Sequence, residues 1–280
     1  MISANTTKHQ PKRIFTFWEP SQNMPHYIKL CIETWRKFLP EYEIIIVDYS
    51  TLDRWLGMGF FDEILYSDFS LPMQTDAIRC ALLHRYSGLW LDSDTIITSN
   101  DIRKILEIQA QIVMIDSHLA FIKANIEGGG DYILKSWLRD IKIALEIHKL
   151  KITKFHKTLW RLANRKKHRI AKRLGQWDYI GNSLLSRYLK TKNGYVKINR
   201  DEINALPENE YLKDSQDIIR NYQHFYFEND FSLEVMKETK GIILLHNSWT
   251  PQKFLTMSEK EFLEQDNTLA NILKIILEKE

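Results

Sequence analysis

The chain has 280 residues, 44% of them hydrophobic, and 39 Lys and Arg against 36 Asp and Glu, for a net charge of +3. That is enough apolar mass for a full core, as one large domain or a domain with an insertion. It contains no stretch of about 18 apolar residues that could span a bilayer, and the opening MISANTTKHQPKR lacks the apolar core of a secretion signal. With only Cys31 and Cys80, the expectation is two small buried thiols in a reducing, cytosolic compartment and no disulfide. The charge is uneven. Eleven Lys and Arg fall between 149 and 173 with no acid among them, which leaves the rest of the chain at −8. One basic segment on a mildly acidic globule points to a single anionic surface as partner and away from general nucleic-acid binding.

Arg13 to Trp18 (RIFTFW) is β-branched and aromatic, as a first strand requires. A helix is expected from Pro25 to Phe38, with Ile28, Ile32 and Trp35 at helical spacing and Pro40 as its stop. Glu43 to Val47 (EIIIV) is a continuous apolar run, which predicts a strand buried on both faces and ending at Asp48. Strand, helix and strand in close succession form a βαβ unit, so the sheet is expected to be mostly parallel with right-handed crossovers. Ligands of such sheets bind beyond the C-terminal strand ends. Short helical pieces are expected over Thr51 to Tyr66.

The centre of the pattern is LPMQTDAIRCALLHRYSGLWLDSDTIIT, Leu71 to Thr98. Pro72 suits a first helical turn and Gly88 a helix stop. Leu89 to Leu91 and Ile96-Ile97 are apolar enough for buried strands, with Asp92-Ser93-Asp94 between them. Residues two apart in an extended segment point to one side, so both carboxylates are expected in one cleft. Acids at the end of a buried strand need a cation or a polar ligand. The pattern alone proves nothing, since chance supplies such a pair in a chain with 17 Asp.

Further on, Asn100-Asp101 caps a helix to Ile108, and Gln111 to Ile115 is a strand. Gly128 to Gly130 reads as a turn, Asp131 to His148 and Asp178 to Lys192 as helices, and Lys192 to Gly194 as another turn. Gly241 to His246 is a late buried strand leading into Asn247-Ser248-Trp249. The tail from Glu259 to Glu280 reads as one or two amphipathic helices.

Three constellations carry chemistry. Asp76 and Arg79 are three apart on a helix: either a surface ion pair, or an acceptor for sugar hydroxyls beside a planar donor fork for phosphate or sugar oxygens. Asp92, Asp94 and His246 suit a hard divalent cation, Mg or Mn, that takes carboxylates and substrate phosphates and neutralises a diphosphate leaving group. Trp18 and Asp48 sit at strand ends, where an indole stacks a base, and Trp249 is placed to close over a phosphate, with core packing as the alternative for either Trp.

The run from Thr75 to Asp94 resembles the signature of glycosyltransferase family 32: Thr75-Asp76-Ala77-Ile78-Arg79, then the turn His84-Arg85-Tyr86-Ser87-Gly88, then Trp90-Leu91-Asp92-Ser93-Asp94. The opening KRIFTFWEP with PHYIKLCIETWRKFLPEYEIIIVD, and the closing LLHNSW, are similar to that family's first and last elements. The resemblance implies a single GT-A-type α/β domain over residues 1–280. Its mixed, mostly parallel sheet would be flanked by helices, with a helical insertion at 149–175. It further implies transfer of a sugar from a nucleotide-sugar, a UDP-sugar favoured, with retention of configuration and with Mn or Mg. The acceptor is a glycan, lipid-linked, in capsular or exopolysaccharide synthesis. Position by position, Trp18 stacks the base. Asp76 and Arg79 hold the donor sugar, Asp92 contacts ribose and sugar, and Asp94 binds the metal. His246, Ser248 and Trp249 contact metal or diphosphate. On this basis the catalytic residues are Asp76, Arg79 and Asp92. The donor set adds Trp18, Asp48, Ser248 and Trp249, and the metal set is Asp92, Asp94 and His246. Two departures stand out: Ser87 replaces the family's first turn glycine, and Gly181 to Ser186 lacks the proline of the family's acceptor-side element.

The basic segment spaces Ile152, Phe155, Leu159 and Leu162 three or four apart, as in an interfacial helix on the anionic inner leaflet, which would make the protein peripheral at that membrane. A packed helix with a solvated face is the alternative. Two other functional readings compete. A phosphatase with a nucleophilic Asp in an acid-x-acid motif expects that motif near the domain start with a second acidic pair downstream, and the chain has neither. A non-catalytic membrane-binding or scaffold protein would tolerate loss of Asp94.

Overall fold

A computed structural model describes residues 12–65, 69–116, 118–125, 132–149, 179–190, 194–203 and 217–278. The basic segment lies outside the described residues except for Lys149, as does the turn at Gly128 to Gly130.

The first unit is as expected. Strand β1 (Arg13–Phe17), helix α1 (His26–Phe38) and strand β2 (Glu43–Val47) are joined by a parallel ladder from Arg13↔Glu43 to Phe17↔Val47. Two short helices, α2 (Leu52–Leu56) and α3 (Met58–Leu65), lead to α4 (Leu71–Tyr86), whose first turn carries Pro72. Strand β3 (Gly88–Leu91) pairs in parallel with β1 on the side away from β2. The turn into it needs left-handed backbone. Ser87 has φ 56° and Gly88 has φ +102°, and a Cβ on Gly88 would lie 2.7 Å from the Arg13 carbonyl oxygen. A side chain at 88 would push β1 and β3 apart.

Then come β4 (Thr95–Ile97), α5 (Ile102–Leu106) and β5 (Ile112–Ile115), with β6 (His118–Ala124) returning antiparallel to both β5 and β3. Helix α6 (Tyr132–Lys149) is next. After the undescribed stretch come an irregular turn at Tyr179–Ser183, helix α7 (Leu184–Leu189) and β7 (Tyr195–Ile198) parallel to β5. The six-stranded sheet has the order β2-β1-β3-β6-β5-β7, with β6 alone reversed. Helices α8 (Ile218–Gln223) and α9 (Ser232–Glu238), strand β8 (Ile242–Leu244) and helices α10 (Glu259–Leu263) and α11 (Thr268–Leu277) complete the chain. This is the expected mixed, mostly parallel sheet with helices on its faces, and the tail is two helices.

Strand alternation sorts the core onto those two faces. Ile14, Leu89, Leu91, Val113, Ile115 and Phe121 point to one cluster with α1 and α11. Phe15, Phe17, Trp90, Met114 and Ile122 point to the other with α4 and α6. Each fully buried Ile, Leu or Phe contributes about 1.5–3 kcal/mol. One expectation fails. β2 is an edge strand with only β1 beside it, so Ile45 and Val47 are buried while Ile44 and Ile46 are only half covered. Four apolar residues in a row mark β-propensity, and here they do not mark burial on both faces.

Strand β4 leaves the main sheet and pairs antiparallel with β8, Thr95↔Leu244 to Ile97↔Ile242. Side chains of α1 bond to β4 as well: Trp35 Nε1 donates to the Thr95 carbonyl (2.7 Å), and the Ile97 N–H donates to Thr34 Oγ1 (2.9 Å). Both cysteines are free and buried in helices, as expected. Among the described residues no helix is long and apolar enough to cross a membrane.

Candidate active site

A cavity of about 540 Å³ opens where the parallel strands end. Trp18 and Glu19 reach it directly after β1, Asp92 to Asp94 after β3, and Thr75, Asp76 and Arg79 from the flank of α4. The far end of the chain arrives through the small sheet. Because Thr95 pairs with Leu244, the residues before β4 and after β8 must meet, and they do: the Asn247 N–H donates to Asp94 Oδ2 at 2.7 Å. His246, Asn247 and Ser248 thereby line the same cavity as Asp92 and Asp94, across more than 150 residues of sequence.

Arg79 holds the acidic wall together. Its guanidinium donates to Asp76 Oδ1 at 2.8 Å and to Asp92 Oδ1 at 2.7 Å. It also lies over the Trp90 ring at 4.8 Å, and the Trp90 Nε1–H donates to the same Asp92 Oδ1 at 2.7 Å. Asp76 and Arg79 are buried, so the reading of them as a surface ion pair is excluded. Both donors to Asp92 use one oxygen, so Oδ2 carries neither bond. A planar cation fixed between two carboxylates presents a preset array of acceptors and positive charge to a sugar or phosphate without reorganising.

Burial pushes the Asp94 carboxyl up to about 7, and the adjacent Asp92 charge adds to the rise against the opposing Asn247 N–H. That mutual repulsion is what a divalent cation relieves. His246 is driven down to about 4 by burial first, then by the Arg200 charge and by His118, leaving the uncharged imidazole that a metal ligand has to be. The donor set therefore fits a hard cation. Among the described residues, however, no three His, Cys, Asp or Glu side chains are already gathered as a ligand group, so a cation there would depend on the two carboxylates and on oxygens from outside the protein.

Two sequence-nominated residues stand apart from the cavity. Asp48 comes directly after β2 but does not line it. Burial alone would raise its carboxyl, yet hydroxyl donors on Ser21, Ser50 and Thr51 and the Thr51 N–H bring it down to about 2, which makes it a structural bracket for the β2–α2 turn. Trp249 packs on His246 at 4.2 Å and edge-on to Tyr222 at 5.3 Å, behind the lining. It supports His246 from the rear. Trp18 is half-buried in the lining, and Ser248 is exposed at it.

Sequence reasoning missed four contributors. Trp90 orients Asp92. Tyr27 bonds Asn247 Oδ1 and, at 3.1 Å, Thr250 Oγ1, steadying the turn that feeds Asp94. His118 enters the cavity because β6 runs backwards, so its first residue sits where the other strands end. Asn182 comes from the turn before α7, whose Gly181 lies against Asp76: a Cβ there would be 2.2 Å from Asp76 Oδ2. The β6 signal was readable, as the apolar runs Ile112–Ile115 and His118–Ala124 flank Asp116, which takes φ 50°.

No curated protein matches the chain. The solved apo-form glycosyltransferase GlyE of Streptococcus pneumoniae TIGR4 is similar over 96% of this chain at 12% identity, with a TM-score of 0.40, and this chain spans 63% of that one. The profile of the family described as "Capsular polysaccharide synthesis protein" matches residues 2–229. With most of its length matched, this chain belongs to the capsular polysaccharide synthesis protein family.

Proposed function

We propose that this protein is a metal-dependent, retaining glycosyltransferase that moves a sugar from a nucleotide-sugar, a UDP-sugar by preference, to a lipid-linked glycan acceptor in capsule synthesis. The observation that carries the reading is the Asp76–Arg79–Asp92 network facing the Asp94–Asn247 bond across one cavity, in a chain of a capsule-synthesis family. Asp76 and Arg79 hold sugar hydroxyls, and Asp92 serves sugar and ribose. Trp18 offers an indole face to the base. Asp92, Asp94 and His246 would hold Mn or Mg, which would supply charge neutralisation for a diphosphate leaving group. Ser248 donates to that diphosphate. Arg79 keeps its positive charge beside the anomeric centre, and a front-face transfer then needs no further nucleophile.

Asp92 is held by Arg79 and Trp90, an arrangement that suits an orienting carboxylate better than a phosphatase nucleophile. The anionic membrane surface remains a proposal from the composition of residues 149–173, as does a peripheral location at the inner face of the membrane. The test is release of nucleoside diphosphate from a panel of UDP- and GDP-sugars with and without Mn. Turnover that needs Mn and disappears in Asp94→Asn, with the fold intact by circular dichroism, supports the reading. Metal-independent turnover, or an active Asp94→Asn, overturns the metal assignment.

A further inference from the structure

Two imidazoles line the same cavity as the acids. His118, at the start of β6, and His246, after β8, face each other with ring centroids 6.0 Å apart. Both are half-buried. Among the described residues the His118 ring makes no hydrogen bond to the protein, which leaves its N–H to water or a ligand in the cavity. The charges that act on it are Arg200, Asp92 and Asp116. Arg200 donates its N–H to Asp116 Oδ2 at 3.2 Å and its guanidinium to the Leu244 carbonyl at 3.4 Å, which fixes positive charge behind the imidazole pair. Resting on the glycosyl-transfer reading, we propose that His118 is a direct substrate contact, donating a hydrogen bond to the diphosphate of a bound nucleoside diphosphate.

An anion is favoured over a sugar hydroxyl at this place for two reasons. The Arg200 charge raises the local potential. The carboxylates of Asp92 and Asp94 repel phosphate, so phosphate oxygens not taken by a cation need donors among the other lining residues. A neutral imidazole has one N–H to give.

Titration calorimetry of UDP and UMP, with GDP and GMP in parallel, in Mn buffer separates the outcomes. His118→Phe keeps a ring against His246 and removes the donor, whereas His118→Gln restores one. The expected result is about tenfold weaker diphosphate binding in His118→Phe, equivalent to about 1.4 kcal/mol. Monophosphate binding stays unchanged, and His118→Gln recovers most of the loss. Equal diphosphate affinity in wild type and His118→Phe overturns the inference, as does an equal loss for mono- and diphosphates or a His118→Gln no better than His118→Phe. A wild type that binds no nucleotide overturns the transferase reading itself. Melting temperatures of both variants check that the fold survives.

Discussion

Replacing Arg79 with Met tests whether the acidic wall depends on one cation. Met keeps much of the side-chain volume and removes the charge. The Arg79 side chain is 5% exposed, its partner Asp76 12% and Asp92 35%. Asp76 would lose its buried bond to the guanidinium, and removing one partner of a buried pair costs about 3–5 kcal/mol. Asp92 can draw on solvent, so its lost pairing adds little, about 1 kcal/mol or less. Loss of the guanidinium over Trp90 adds about 1 kcal/mol more. A total of about 4–7 kcal/mol is a large part of the stability of an ordinary domain. Urea unfolding followed by Trp fluorescence reads it as a lower midpoint at unchanged slope. The double variant Arg79→Met/Asp76→Asn removes the carboxylate charge as well and should regain at least about half. Arg79→Lys keeps the charge without the fork and should fall between. A loss below about 1 kcal/mol in Arg79→Met, or no recovery in the double variant, would refute the view that Arg79 compensates a buried carboxylate.

Three other outcomes are expected. Asp48 has its carboxyl held at about 2 against an ordinary 3.8, so its deprotonated form favours the fold by about 2 kcal/mol above pH 4, and that contribution is lost as pH falls from 4 toward 2. Acid unfolding of Asp48→Asn should lack this part of the pH dependence, and an identical profile in both proteins would rule it out. Gly181→Ala places a methyl against the Asp76 carboxylate and Leu119, and should lower stability by about 1–3 kcal/mol together with turnover. A fully stable, active variant would mean the turn can move. Sedimentation with anionic but not neutral liposomes is expected through residues 149–173, and equal or absent binding to both would remove the membrane partner.

Much of the site was legible because its parts are local. Asp76 and Arg79 share a helix flank, Asp92 and Asp94 come after a strand, and helix and strand meet at the Ser87-Gly88 turn, so their neighbourhood is written within Leu71 to Thr98. Trp18 was readable from the βαβ pattern, which puts the residue just past β1 at the ligand end. The same rule carried Asp48 to that end of the sheet, where it stands outside the lining. A strand end brings a residue to the cavity's side of the sheet, but β2 is the outer strand, and Asp48 spends its oxygens on Ser21, Ser50 and Thr51. Trp249 lies in the loop after β8, packed on His246 and Tyr222 and outside the lining.

The amino-acid sequence by itself determined the alternation of strands with helices, the helix stop before β3 and the acids that follow it. All of these derive from periodicity and spacing over a few residues. Only the tertiary structure decided which distant segments share a wall. The antiparallel pairing of β4 with β8 brings Asn247 onto Asp94, and the reversal of β6 sends His118 into the cavity. Burial of Arg79 turns an ordinary i,i+3 pair into the hub of three charges. Partner choice across the chain, as between β4 and β8, is a long-range property set by which apolar faces close the core, and only the short β5–β6 connection leaves a local trace.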